Sequence, residues 1–184
     1  FTVDASEKLH SYFLDDSKYQ PVENAVRHSG QVVRNELRQN SALLALAQAA
    51  SLCNDSSLTV NDKTGVVEKI GESTEAALKT MVEKLGTTNP RNIKQVSSEF
   101  EAQFQKQATL EFTRERKSMS TLCREGSTKR EFLFIKGAPE AVLARCSNLV
   151  LNNGKTTKLT PKLRAQILEE VQAMGGTERA LRCL

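Results

Sequence analysis

The β-rich runs of this 184-residue chain are grouped in pairs and triplets around short polar turns, and this grouping restricts its fold more than any other feature. Leu58 to Val60 and Val66 to Ile70 flank Asn61-Asp62-Lys63-Thr64-Gly65, a polar turn ending in glycine that closes a hairpin. Ala108 to Thr113, Ser118 to Arg124 and Glu131 to Lys136 form a second group, with Gly126-Ser127-Thr128 as a turn. Between the groups the period becomes helical. From Asn35 to Leu52, residues Leu37, Leu43, Leu44, Ala47, Ala50 and Leu52 recur three and four apart, and Asn54-Asp55-Ser56-Ser57 ends the run. A helix from Ser73 or Thr74 to Leu85 carries Ala77, Leu78, Met81, Val82 and Leu85 on its apolar face, with Gly86 as its stop. A more polar helix covers Ile93 to Gln105, after Asn89-Pro90. Pro139 opens a helix to Arg145, at a position where its missing N–H costs nothing. After a turn at Asn152-Asn153-Gly154, Thr160-Pro161 starts a helix to about Met174, closed by Gly175-Gly176 and followed by a strand from Arg179. The first thirty residues or so read as irregular, punctuated by Pro21 and Gly30, with an opening strand at Phe1 to Val3. Hairpin strands interrupted by helical pairs predict an α+β fold with an antiparallel sheet, not a parallel βαβ sheet.

A chain of this length folds as one domain, residues 1–184, with a core that needs neither metal nor disulfide. Its apolar fraction of 39% and charged fraction of 26% are those of a soluble globular protein and argue against disorder. The longest apolar run, Ala42 to Ala47, is far short of a membrane span. The chain begins at Phe1 without a basic-then-apolar leader and stops in Ala180-Leu181-Arg182-Cys183-Leu184, which reads as a strand cut mid-course. The expectation is therefore a domain excised from a longer chain. A net charge of +4 is modest, and the cluster Arg114-Glu115-Arg116-Lys117 with Lys129 and Arg130 is read by charge alone as a solvated face. Cys53, Cys123, Cys146 and Cys183 lack CxxC spacing, and His10 and His28 stand in a polar stretch without evident ligand partners, so no metal site is expected.

Three segments have chemical potential, each with a plainer alternative. In Lys136-Gly137-Ala138-Pro139-Glu140, Gly137 allows close approach to the backbone, Pro139 starts a helix whose amino end favours anions, and Lys136 projects into that space. A strand-to-helix turn with an exposed lysine accounts for the same residues. Glu111-Phe112-Thr113-Arg114-Glu115-Arg116-Lys117-Ser118-Met119-Ser120 presents a ring on which a purine can stack, then cations suited to phosphates, with Arg114 supplying a planar fork of donors. A lone phenylalanine is more often core. Gly71-Glu72-Ser73-Thr74-Glu75-Ala76-Ala77-Leu78 places two carboxylates at a helix start, where they complement the dipole or accept the exocyclic amine of adenine.

In this order and spacing, with Leu181-Arg182-Cys183-Leu184 and Cys53-Asn54-Asp55, these segments resemble the nucleotide-binding domain of P-type ATPases of the second class. The likeness runs from about Asn35, is nearest to calcium pumps of the sarco/endoplasmic-reticulum type, and is least clear over residues 1–34. Asp62-Lys63-Thr64-Gly65 shares the spelling of that family's phosphorylation signature, but its flanks do not match. Turn chemistry explains Asp62, which is not assigned as a nucleophile. The resemblance implies a twisted antiparallel β-sheet flanked by two helical bundles. It implies that Phe112 stacks on adenine, that Glu75 contacts the base edge, and that Lys136 lines the pocket floor with Gly137 giving access. Arg114 and Arg182 would reach the phosphates; Glu72, Thr74, Lys117 and Met119 would be secondary contacts.

The function so implied is ATP binding, with the γ-phosphate presented to an aspartate outside this chain. The parent would be a multi-pass calcium-transporting ATPase using Mg-ATP, with this domain on the cytosolic face of the endoplasmic or sarcoplasmic reticulum. Partners would be ATP and the phosphorylation and actuator domains of the parent chain. The domain would be a monomer in isolation, with neither nucleic acid nor direct membrane contact. No catalytic residue and no acidic metal cluster are assigned here, so binding without turnover is expected, in the micromolar to millimolar range as an order of magnitude. The alternatives are a domain from a sodium or proton pump, a non-catalytic interaction domain, and a nucleic-acid module with strongly salt-dependent binding.

Overall fold

A computed structural model describes residues 1–14, 19, 26–33, 36–87 and 92–176. The expected features at Pro21, at Asn89-Pro90, at Arg179 and at Arg182 lie outside the described residues.

The hairpin reading holds. Every strand pairing among the described residues is antiparallel. β6 (Ser57–Val60) pairs with β7 (Val67–Ile70), and the intervening turn is organised by Asn61, whose side-chain oxygen accepts from the N–H of Lys63 at 3.0 Å and of Thr64 at 3.2 Å. Asp62 is exposed at that tip. The largest sheet has the order β10-β9-β8, from β8 (Phe104–Thr113), β9 (Ser118–Glu125) and β10 (Glu131–Gly137). β11 (Asn148–Val150) and β12 (Thr156–Lys158) form a further hairpin around the expected Asn152-Asn153-Gly154 turn.

The helices fall into two groups with separate cores. α1 (Glu36–Gln39), α2 (Ser41–Leu52), α3 (Ser73–Gly86) and α4 (Gln95–Gln103) contribute Leu37, Leu43, Ala47, Val82, Leu85, Val96 and Phe100 to a cluster that closes on Phe104 and Cys123 of the sheet. Phe132 and Phe134 meet the Phe104 ring edge-on, each with ring centroids 5.6 Å apart, a favourable aromatic geometry. α5 (Pro139–Arg145) and α6 (Pro161–Gly175) build the second core, where Leu143 packs against a cluster containing Leu163, Ile167, Leu151 and Leu159. Thr160 caps α6 as expected, its hydroxyl accepting from the N–H of Leu163 at 3.2 Å. An antiparallel sheet between two helical groups is the architecture anticipated above.

Four expectations need correction. The helix expected from Asn35 to Leu52 is broken at Asn40, whose side chain accepts from the N–H groups of Ala42 and Leu43 and so caps α2. The helix expected to stop before Gly86 includes it as the last residue of α3; a Cβ there would lie 2.5 Å from Leu37 Cδ1, so the glycine lets α1 and α3 approach. The polar helix ends at Gln103, and the chain passes directly into β8 at Phe104, whose ring belongs in the core.

The fourth concerns the amino-terminal region, which contains β1 (Thr2–Val3), β2 (Leu9–His10), β3 (Tyr12–Leu14), β4 (Val26–His28) and β5 (Gln31–Val33). Its histidines do have neighbours. His10 Nε2 lies 2.7 Å from Asp4 Oδ2 and holds that carboxyl well below the usual range, while Tyr12 stacks on His28 at 4.7 Å.

One cap has no sequence signature. Lys94, at the N-cap of α4, makes no side-chain cap hydrogen bond. The completely buried Glu83 of α3 replaces it, accepting the N–H of Val96 at 3.0 Å and of Ser97 at 2.9 Å. Burial pushes this carboxyl above its ordinary value, against the opposing pull of the two N–H groups and of Lys79.

Candidate functional site

The site is built where α2, α3 and β10 converge. After α2 the chain turns through Cys53, Asn54, Asp55 and Ser56. Asn54 ties this turn to both helices, donating to the carbonyls of Ala50 and Glu75 at 2.9 Å each, while its side-chain oxygen accepts from Ser56 N–H. Ser56 Oγ donates to the Glu72 carbonyl at 3.1 Å. Gly71, at φ +97°, makes room for this hydroxyl, since a Cβ would stand 2.5 Å from it.

The first turn of α3 thereby presents Glu75 to the end of β10. Glu75 Oε1 is ion-paired with Lys136 Nζ, and the two side chains are only 17% and 12% exposed. Oε2 accepts from Asp55 N–H at 3.1 Å and from Ser56 Oγ at 3.3 Å. Cys53 is fully buried beside this pair, and burial pushes its thiol up, so it stays protonated and unreactive at neutral pH.

Across the sheet, Lys136 is directly opposite Met119, which is buried, so both side chains share a face. On the other edge of β9, Leu110 pairs with Ser120 and Thr113 with Ser118. Glu111 and Phe112 thus stand together against Met119 in a bulge, a device that re-aims side chains. Phe112 is 58% exposed, which removes the core explanation for its presence. In the register of the sheet, Met119 therefore stands between Phe112 on one neighbouring strand and Lys136 on the other.

Glu75, Lys136, Met119 and Phe112 are thus brought to one region. Glu72 is the exposed N-cap of α3, with its backbone carbonyl engaged, and Thr74 is half-buried in the first turn beside Glu75. Arg114 and Lys117 are exposed in the turn between β8 and β9, with Lys117 at φ +49°. Arg182 lies outside the described residues.

Gly137 has a reason for being glycine that differs from ligand access. A Cβ there would fall 2.2 Å from the Lys117 carbonyl oxygen and 2.7 Å from Ser118 Cα. Gly137→Ala is expected to cost about 1–3 kcal/mol through forced strand displacement, measurable by urea unfolding.

Two arginines escaped the sequence reading. Arg116 folds back to donate to Ser120 Oγ instead of joining a solvated cluster. Arg145 reaches from α5 to Ser118 Oγ at 2.8 Å and to the Arg116 carbonyl at 2.7 Å, pinning the turn. The partners of Arg145 are 27 and 29 residues away in sequence, which leaves no local signal.

Chemically, the arrangement offers a flat apolar face, a cation and a carboxylate that retains acceptor capacity. That suits a heteroaromatic ring with polar edges. Among the described residues there is no group of three or more His, Cys, Asp or Glu side chains placed to hold a metal ion.

A family model for the P-type ATPase cytoplasmic domain N matches residues 42–184. A "Probable calcium-transporting ATPase" of Trypanosoma brucei brucei is 40% identical over 190 residues, covering 100% of this chain and 19% of the relative. The chain spans about a fifth of that relative's length.

Proposed function

The chain belongs to the family of P-type ATPase cytoplasmic N domains, and on that premise we propose that it binds ATP and presents the γ-phosphate to an aspartate elsewhere in a calcium-transporting pump. The observation that carries the proposal is the exposed Phe112 ring, set across Met119 from the Lys136–Glu75 pair. Phe112 supplies a stacking face for adenine. Glu75 accepts from the base edge, and Lys136 lies on the floor of the site with Gly137 behind it. Arg114, and Arg182 beyond the described residues, contribute charge toward the phosphates; Glu72, Thr74, Lys117 and Met119 surround them.

Calcium as the transported ion and the sarco/endoplasmic-reticulum membrane as the site of action are supported by the overall likeness of the sequence. The pocket itself does not choose among calcium, sodium and proton pumps. Magnesium in the parent would accompany the ATP phosphates; the described residues have no grouping suited to hold it. No helix among them is long and apolar enough to cross a membrane, so anchoring is assigned to other parts of the parent.

The proposal is tested by calorimetric titration of the chain with ATP and with GTP, alongside an assay for phosphate release. The expected result is ATP binding in the micromolar to millimolar range as an order of magnitude, weaker GTP binding and no turnover. Equal affinity for the two nucleotides, or none at millimolar concentration, would contradict it.

A further inference from the structure

We infer that Ser56, together with the Asp55 backbone N–H, is a positioning device that selects adenine by fixing the carboxylate of Glu75. The inference rests on the ATP-binding reading above and names a determinant of base selectivity outside the binding residues themselves.

A carboxylate has two oxygens and about four acceptor positions. On Glu75, Oε2 receives Asp55 N–H at 3.1 Å and the Ser56 hydroxyl at 3.3 Å, which occupies that oxygen. Oε1 receives the Lys136 ammonium. One acceptor position remains, on the oxygen that Lys136 shares. A flexible glutamate would lose rotamer freedom when it met a ligand, but one held at both oxygens has already lost it on folding.

The clamp is itself held rigidly. Ser56 is 4% exposed, and its backbone N–H is bound at 2.9 Å by Asn54 Oδ1. Asn54 in turn holds the Glu75 carbonyl. The Ser56 hydroxyl occupies the space that Gly71 leaves by lacking a Cβ, and it also reaches the Glu72 carbonyl at 3.1 Å. The single hydroxyl proton is thus shared between two acceptors of the same helical turn, and the turn cannot rotate without breaking both contacts.

The consequence is selectivity. An exocyclic amine donates to the remaining Oε1 position, whereas the carbonyl that guanine carries at the equivalent place would face a fixed carboxylate oxygen. A carboxylate free to swing could withdraw from guanine and make the site tolerant. Fixing Glu75 therefore works on the ratio of ATP to GTP affinity more than on either alone.

The experiment compares Ser56→Ala with wild type in ATP and GTP titrations, each also made in a Glu75→Gln background. In otherwise wild-type protein, Ser56→Ala should weaken ATP by about 3- to 10-fold and tighten GTP, so the ratio falls by more than that factor. In the Glu75→Gln background it should leave the ratio unaltered, because no carboxylate remains to position. Equal loss of both nucleotides, or the same loss with and without the Glu75 carboxylate, would overturn the inference and leave Ser56 a structural residue. A wild type that binds ATP and GTP alike would instead overturn the nucleotide reading on which it stands. Should Ser56→Ala fail to fold, Ser56→Cys keeps a side chain in place with a weaker donor, and the same comparison applies.

Discussion

Phe112→Ala is expected to weaken ATP binding by about fivefold or more while the domain remains folded. Stacking of a base on an aromatic ring contributes about 1–3 kcal/mol per base by alanine substitution, which is roughly 5- to 150-fold in affinity. The cost to the fold should be far smaller. Fully burying a phenylalanine stabilises by about 1.5–3 kcal/mol, but this ring is 58% exposed and lies outside the aromatic cluster of Phe104, Phe132 and Phe134. A loss of about 1 kcal/mol or less corresponds to a melting shift of about 4 °C or less for a domain of this size. The two effects are read separately, by calorimetric titration and by thermal unfolding. A collapse of the fold with no separable binding defect would make Phe112 a structural residue.

The largest effect on stability is expected at Glu83, far from the nucleotide site. Glu83→Ala removes the acceptors for two N–H groups in the first turn of α4, where Val96 and Ser97 are themselves buried. Each buried donor left without a partner costs about 1–3 kcal/mol, and the side chain leaves a cavity, so a total of about 2–5 kcal/mol follows. Urea unfolding followed by circular dichroism measures it.

Glu83 also has a pH signature. Its folded-state pKa is raised, chiefly by burial, so the native state holds the proton more tightly than the unfolded chain. Its contribution is fully present below the unfolded value and is lost as pH rises through the raised folded value. Glu83→Gln cannot titrate. The stability advantage of wild type over Glu83→Gln should therefore be greatest below the unfolded value and shrink as pH rises through the raised folded value. An advantage that grew with pH would reverse the assigned direction.

Local chemistry was legible wherever the determinants lay close in sequence. The Asn61 to Gly65 turn, the proline starts at Pro139 and Pro161, and the apolar face of α3 all act within a few residues, and these elements appear nearly where expected. Asn40 is instructive, because an apolar period continued through it while its side chain competed for the backbone and ended one helix to begin another. Glu83 was invisible because its partners are 13 and 14 residues away on another helix. The same holds for Arg145, whose target is a serine on a strand.

The candidate site divides along the same line. Phe112, Glu75 and Lys136 were picked out by residue type and motif order, although each had a plainer local explanation. Only the tertiary structure brings Glu75 to Lys136, 61 residues later in the chain, and Phe112 into a bulge against Met119. The holding role of Ser56 could not be read in advance, since its contacts with Glu72 and Glu75 cross from a turn to the next helix. Gly137 was singled out as an access point, whereas its missing Cβ is explained by the Lys117 carbonyl.

The most direct test of ATP recognition at this site is an NMR titration of the chain with a non-hydrolysable ATP analogue, with GTP in parallel. The account predicts amide shifts clustered at Glu75, Phe112, Met119, Lys136 and Gly137, larger with the adenine ligand. A spectrum unchanged at millimolar nucleotide, or shifts confined to the amino-terminal hairpins, would contradict it.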